Sequence, residues 1–290
     1  MTFPIISILV PTRNRPNNVL RFLNSVFDTA TFKDQIEVLF YVDEDDNTFP
    51  TDFKHSDKVS VIRGKRIWIS LAWNLLYVKS KGDILMYAGD DVIFETPGWD
   101  EKVKNAFKSF PDSLGLVYGN DGGWYSGKLA INGFIHRRWA NVLGYFAYPA
   151  RLSALDLWIH ECASFINRVI YLEDVMIRHV HYRQGTADAN FDNTYQEAYE
   201  KSVKWGILET YNSLARERRI DKIMLSRSIG RKIPIEPNYL LGHCIQLISK
   251  LIRKENLGQD KVLTFSNRQI FERFLRKSLR RNQNILKMLK

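Results

Sequence analysis

Gly89-Asp90-Asp91 follows directly on the apolar run Ile84 to Ala88, which reads as a short strand buried on both faces. Two adjacent carboxylates at such a strand end offer hard oxygen ligands, of the kind that share a Mg2+ or Mn2+ with phosphate oxygens of a bound ligand. The plainer alternative is a turn or a helix cap. His179 and His181 lie two apart on Val175 to His181, patterned as a strand, so both side chains point to one face. Either imidazole could complete a coordination sphere begun by Asp91, because Mn2+ accepts nitrogen beside oxygen. The alternative is a pair of half-buried strand histidines, and the spacing does not choose between the two rings.

Asp156 opens a stretch patterned as a helix, Asp-Leu-Trp-Ile-His-Glu, where an aspartate commonly serves as N-cap. In a chemical role it is the general base that takes the proton of an acceptor hydroxyl, with Glu161 as runner-up. Asp43, closing the apolar run Ile36 to Val42, is placed to accept hydrogen bonds from a nucleoside, while Glu44, Asp45 and Asp46 read as a solvated loop. Most tryptophans belong to a core. Trp124, beside Asn120-Asp121-Gly122-Gly123, is the one placed to stack on a sugar ring.

The elements that must position these groups follow from periodicity. Apolar runs at 5–11, 36–42, 59–62, 84–88 and 114–118 predict buried strands. Helical spacing predicts helices from Pro16, over 71–78 and 99–110, near 137–143 and over 156–167. Strands alternating with helices predict an α/β fold with a mainly parallel sheet. In such a sheet, ligands bind beyond the carboxyl ends of the strands. Those ends carry Pro11-Thr12-Arg13, Asp43 and Gly89-Asp90-Asp91, three polar clusters expected to meet in one crevice. Neither the glycine fingerprint of dinucleotide binders nor a phosphate-cradling Gly-Lys-Ser/Thr loop occurs, which leaves a metal as the means of holding phosphate.

With 290 residues and 45% hydrophobic content, the chain can fill a sizeable core. Cys162 and Cys244 lie far apart with no metal-ligand spacing, which points to a reducing compartment. No stretch reads as a leader or a spanning helix, so the expectation is a cytoplasmic protein, soluble or peripheral at the membrane. The net charge of +10 is unevenly placed: residues 1–212 carry 23 Lys/Arg against 26 Asp/Glu, and residues 213–290 carry 19 against 6. That asymmetry suggests an anionic partner, a membrane surface or DNA, for the basic part. Two domains are expected, a catalytic one over 1–212 and a basic helical one over 213–290. Within the latter, residues 271–290 pattern as a basic amphipathic helix.

The motifs Ile8-Leu9-Val10-Pro11-Thr12-Arg13-Asn14-Arg15, Val42-Asp43, Asn74, Lys81-Gly82-Asp83 and Gly89-Asp90-Asp91 resemble the GT-A glycosyltransferases. The likeness is to the inverting family 2 type, over roughly residues 3–185, with Asp156 to Tyr195 similar to small bacteriophage and bacterial members. The resemblance implies a GT-A fold, Rossmann-like, with a helical C-terminal appendage. It implies a nucleotide-sugar donor bound at Pro11, Thr12, Arg13, Asp43, Asn74, Asp83 and Asp90. It further implies Mn2+ or Mg2+ at Asp91 with His181 or His179, and Asp156 as base. Two departures stand out: the metal motif reads Gly-Asp-Asp, and no Glu-Asp dyad stands near Asp156.

The expected activity is metal-dependent inverting transfer of a hexosyl or pentosyl group to a hydroxyl of a glycan or glycolipid. One alternative is DNA with hydroxymethylated bases, of phage type, as acceptor. A lesser alternative is a non-catalytic nucleic-acid-binding module.

Overall fold

The computed structural model describes residues 4–53, 55–123, 125–150, 154–180, 196–197, 200 and 207–231. Trp124, His181 and the amphipathic stretch 271–290 lie outside the described residues.

The strands are β1 (Ile6–Thr12), β2 (Ile36–Asp43), β3 (Val59–Gly64), β4 (Ile84–Tyr87), β5 (Val92–Phe94), β6 (Leu116–Asn120), β7 (Gly133–His136) and β8 (Val169–His179). The helices are α1 (Pro16–Thr29), α2 (Ile69–Lys79), α3 (Trp99–Phe107), α4 (Arg137–Leu143), α5 (Leu155–Phe165), α6 (Ile207–Ser213) and α7 (Ala215–Ser228). The eight strands form one sheet in the order β3-β2-β1-β4-β7-β6-β8-β5. Its first half, β3-β2-β1-β4, is parallel. In the second half β7 runs antiparallel to both neighbours, β6 and β8 are parallel, and β5 returns antiparallel to β8. The short strands β5 and β7 have too few residues to show a period, so the sequence does not announce them.

Strand alternation divides the core between the two faces of the sheet. Ile6, Ile8 and Val10 of β1 join Ile84 and Met86 of β4 on the face covered by Val19, Phe22 and Val26 of α1 and Trp99 and Val103 of α3. Leu9, Leu85 and Tyr87 face the other way, toward Leu76 of α2, Trp139 of α4 and Trp158 of α5. Phe22 packs edge-on against Phe40 and Phe94, with ring centroids 6.1 and 5.9 Å away. Its truncation to alanine would cost about 3–5 kcal/mol.

Lys81-Gly82-Asp83 has a structural role. A Cβ at Gly82 would stand 2.7 Å from both Ile5 O and Ser7 N, so only glycine lets this turn approach β1. Gly82 N donates to Ser7 Oγ at 2.7 Å. Asp83 then starts β4 at its amino end, where its backbone oxygen accepts from Arg137 N. The side of the hollow it lines, about 450 Å3 with Phe32, Phe107 and His136, is likewise at the amino ends of β1 and β4.

Residues on either side of position 212 share one core. Tyr211, Leu214 and Leu225 are buried in the same cluster as Trp158 and Tyr145. The sequence of α7, Ala-Arg-Glu-Arg-Arg-Ile-Asp-Lys, reads as solvent-facing, yet Ile220 and Asp221 are fully enclosed against α4 and α5. Among the described residues, no helix is long and apolar enough to cross a membrane.

Candidate active site

The carboxyl ends of β1, β2 and β4 meet, and side chains join them. Thr12 Oγ1 donates to Asp90 Oδ2 at 2.5 Å. Arg15 Nη1 reaches Asp90 Oδ1 at 3.1 Å, Asp90 being buried and Arg15 half-buried. Arg13 Nη1 donates to Asp43 Oδ2 at 3.0 Å, and Arg13 Nη2 to Asp45 Oδ2 at 2.9 Å. Asn14 adopts a left-handed backbone (φ 57) that turns the chain between these partners, and its N–H donates to Asp46 at 2.7 Å.

Glu44 and Asp45 are exposed, as a solvated loop would be, but Asp46 is buried. Asp45 grips Arg13 in a two-pronged pair, and buried Asp46 accepts from the backbone amides of Thr48 and Phe49. An acidic run looks solvated until its counter-charges, some thirty residues earlier in the sequence, are folded against it.

Asp90 and Asp91 face different partners. Burial raises the Asp90 carboxyl to about 6, against the pull of Arg15 and with a push from Asp91. Asp91 Oδ2 lies 3.4 Å from His179 Nε2. The antiparallel pairing of β5 with β8, Val92 opposite His179, makes that contact, and Val180 N donates to Asp91 O at 2.7 Å beside it. The His179 backbone N–H donates in turn to Asp121 O at 3.0 Å, at the end of β6. Burial disfavours the charged imidazole, but the carboxylates of Asp91, Asp121 and Asp156 outweigh it, and the His179 pKa is raised overall.

Asp156 stands in the first turn of α5, one residue past the helix start. The N-cap is Ala154, so Asp156 is not the cap expected of it. Its Oδ1 accepts from Leu157 N at 2.8 Å. Burial pushes its carboxyl up to about 6, and the charge of His179 is close enough to pull it partly back. Asp156 is thus within electrostatic reach of the Asp91–His179 pair. Glu161 is instead engaged by Lys222 at 3.0 Å and Arg218 at 3.3 Å.

Asp83 and Asn74, also expected at the donor, have these surroundings. Asp83 is at the opposite end of β4 from Asp90, as described above. Asn74 spends its whole amide on protein: Nδ2 donates to Ser70 O and Ala147 O, and Oδ1 accepts from Phe146 N and Ala147 N. It clamps the loop after α4. Pro11, in β1, supplies backbone opposite Tyr41 in the parallel ladder. Sequence patterns missed Arg15 as the partner of Asp90, although its place in Arg13-Asn14-Arg15 was the available signal. They also missed Asn132, whose Oδ1 accepts from Gly89 N at 3.3 Å beneath the acid pair.

Carboxylate oxygen and imidazole nitrogen at Asp91 and His179 form a donor set that suits Mn2+. Among the described residues, no group of three His, Cys, Asp or Glu side chains could hold a metal ion. Two protein donors nevertheless fit such a cation, which commonly takes its remaining ligands from substrate phosphate and water.

A sheet with its parallel half ending in this acid-lined crevice, and its second half reversed by β7 and β5, defines the GT-A glycosyltransferase fold. The family model for glycosyl transferase family 2 matches residues 7–174, more than half of the chain. The chain belongs to that family, and it is a glycosyltransferase. No curated protein matches it in sequence.

Among solved structures it is similar to a mannosyltransferase, PcManGT from Pyrobaculum calidifontis, determined in complex with GDP-Man and Mn2+. The two share 16% identity with a TM-score of 0.52, over 98% of this chain and 88% of that one. It is also similar to S. aureus TarS 1–349 in complex with UDP, at 14% identity and a TM-score of 0.48, over 85% of this chain and 82% of that one.

Proposed function

We propose that the chain transfers a sugar from a nucleotide-sugar donor to an acceptor hydroxyl with inversion, using a divalent metal. The observation that carries this reading is the contact of Asp91 with His179 at the carboxyl ends of the strands, with Asp156 close enough for the charge of His179 to act on its carboxyl. The nucleoside lies beside Asp43 and Arg13. Thr12 and Asp90 shape the loop over the diphosphate. Asp91 and His179 hold Mn2+ or Mg2+, and the mannosyltransferase of the same fold is solved with Mn2+ and a nucleotide-sugar. When bound, the cation neutralises the charge that builds on the departing diphosphate.

Asp156 takes the proton of the acceptor hydroxyl as its oxygen bonds to the anomeric carbon. The bond from that carbon to the diphosphate oxygen breaks on the opposite face, and nucleoside diphosphate leaves. A carboxyl raised to about 6 is well matched to this work, since it is ionised near neutral pH yet more basic than a free aspartate.

The acceptor we favour is a glycan or glycolipid, with the protein cytoplasmic and peripheral at a membrane. The excess of cations in residues 213–290 supports an anionic surface as partner, and it equally favours DNA as a second reading. Deleting residues 271–290 and measuring binding to duplex DNA and to anionic liposomes distinguishes them. DNA binding should fall steeply with salt, whereas interfacial binding persists in part, because apolar burial is not screened.

The test of the reaction is a melting-temperature screen of nucleotide-sugars with and without Mn2+, followed by assay of nucleoside diphosphate release. A ligand that binds only the folded state raises the melting temperature. If no donor does so with Mn2+, and none is hydrolysed, the reading fails.

A further inference from the structure

Helix α5 presents Asp156, but no side chain caps its start, and what fixes it lies on its opposite side. Trp158, two residues on, is buried and donates from Nε1 to Asp221 Oδ2 at 2.8 Å. Tyr145, in the loop after α4, donates its hydroxyl to the other oxygen, Asp221 Oδ1. Trp158 stacks on Tyr148 at 4.4 Å and 16°, and Tyr148 stands edge-on to Tyr145. Arg218 lies over the Tyr211 ring at 3.6 Å and the Trp158 ring at 5.4 Å. From the same helix, Arg218 and Lys222 both reach Glu161 of α5.

Asp221 is wholly enclosed, and a buried carboxylate is costly to desolvate. Apolar packing would hold α7 to α5 at least as firmly. What two directed hydrogen bonds add is geometry. The Trp158 bond gives α5 a directed tie to α7, and the Tyr145 bond joins the loop after α4 to the same carboxylate. A general base tolerates little slip, because about 1 Å of displacement can cost on the order of a hundredfold in rate. The helix bearing Asp221 lies beyond the family-matched residues 7–174, so the family match assigns it nothing.

We propose that Asp221 is a positioning residue for the transfer reaction, holding Trp158 and thereby setting where α5 presents the Asp156 carboxylate to the acceptor. The inference rests on Asp156 being the base. It is tested on the full chain with Asp221→Asn, Trp158→Phe and the double variant. Turnover is first established for the wild type on a panel of UDP- and GDP-sugars with Mn2+, and kcat, donor KM and the kcat–pH profile are then compared.

Each single variant should lower kcat by about tenfold or more, with donor KM and the donor-induced rise in melting temperature unchanged. The midpoint of the pH profile should move, because the carboxylate meets a different environment. The double variant should be no worse than the poorer single, since both remove one link. A folded Asp221→Asn protein with wild-type kcat and pH profile overturns the assignment, as do additive losses or a loss confined to donor affinity. Should Asp221→Asn fail to fold, Trp158→Phe decides alone, because it keeps an aromatic ring against Tyr148 while removing the N–H donor. A wild type that turns over no donor overturns the base reading itself, a distinct result.

Discussion

Thr12 Oγ1 donates to Asp90 Oδ2 at 2.5 Å, tying the end of β1 to the end of β4 across 78 residues of sequence. With Arg15 on its other oxygen, Asp90 is turned into the protein, and its neighbour Asp91 is turned toward His179. Adjacent carboxylates of the same type thereby receive different work. One ties the loop after β1 to the end of β4, and the other meets the imidazole of His179.

Asp91→Ala should abolish transfer while the fold survives, because the side chain lies at the crevice. The measurement is nucleoside diphosphate release with Mn2+, paired with a denaturant melt. Near-wild-type turnover in the variant, or full activity of the wild type in excess EDTA, would contradict metal dependence through Asp91.

Asp156→Asn should lower kcat by about 10²–10⁴-fold, the usual contribution of a general base, with donor affinity nearly unchanged. Burial raises this carboxyl to about 6, so the basic form accumulates only above that pH. The wild-type kcat should therefore rise with pH up to about 6 and level off beyond, and the variant should lose that limb. An equal loss of donor affinity would point to a structural carboxylate instead.

Arg15→Met should destabilise the fold by about 3–5 kcal/mol at pH 8, since it leaves a buried carboxylate without its counter-charge. The folded-state carboxyl of Asp90 is raised to about 6, so the native protein holds this proton more tightly than the unfolded chain does. Ionisation of Asp90 therefore works against folding as pH rises toward 6, and Arg15 offsets that cost. The deficit in Arg15→Met should shrink at pH 5, where Asp90 is largely protonated. Urea unfolding of both proteins at pH 5 and pH 8 gives the comparison, and an equal deficit at both values would refute it.

Asp83→Asn should leave donor KM unchanged, because Asp83 begins β4 at the end of the sheet away from Asp90. Gly82→Ala, by contrast, should lower the melting temperature by several degrees or prevent folding, since the new Cβ meets backbone atoms of Ile5 and Ser7. A raised donor KM in Asp83→Asn would return that residue to the donor site.

The parallel half of the sheet and the helices on it were legible in the sequence because their signals are local. Short apolar runs such as Ile36 to Val42 read as strands buried on both faces, and Pro16 followed by Val19, Leu23 and Val26 reads as a helix start. The placing of acids at the ends of those runs followed from the same pattern. Other matters were not local. That Arg13 bonds both Asp43 and Asp45 has no signal in the sequence.

The sequence by itself determined the fold class, the strand ends and the residue types gathered there, because hydrophobic periodicity acts within a few residues. Only the tertiary structure decided which of Asp90 and Asp91 is tied down, for that depends on Thr12 and Arg15 arriving from β1 and the turn after it. Pairing of the three-residue strand β5 with β8, invisible as a pattern, decided that His179 meets Asp91. Packing likewise decided that α7, polar enough to read as an appendage, enters the core and sets Asp221 behind the helix of Asp156. In each case the deciding contact is between segments far apart in sequence, and it exists only once the sheet has formed.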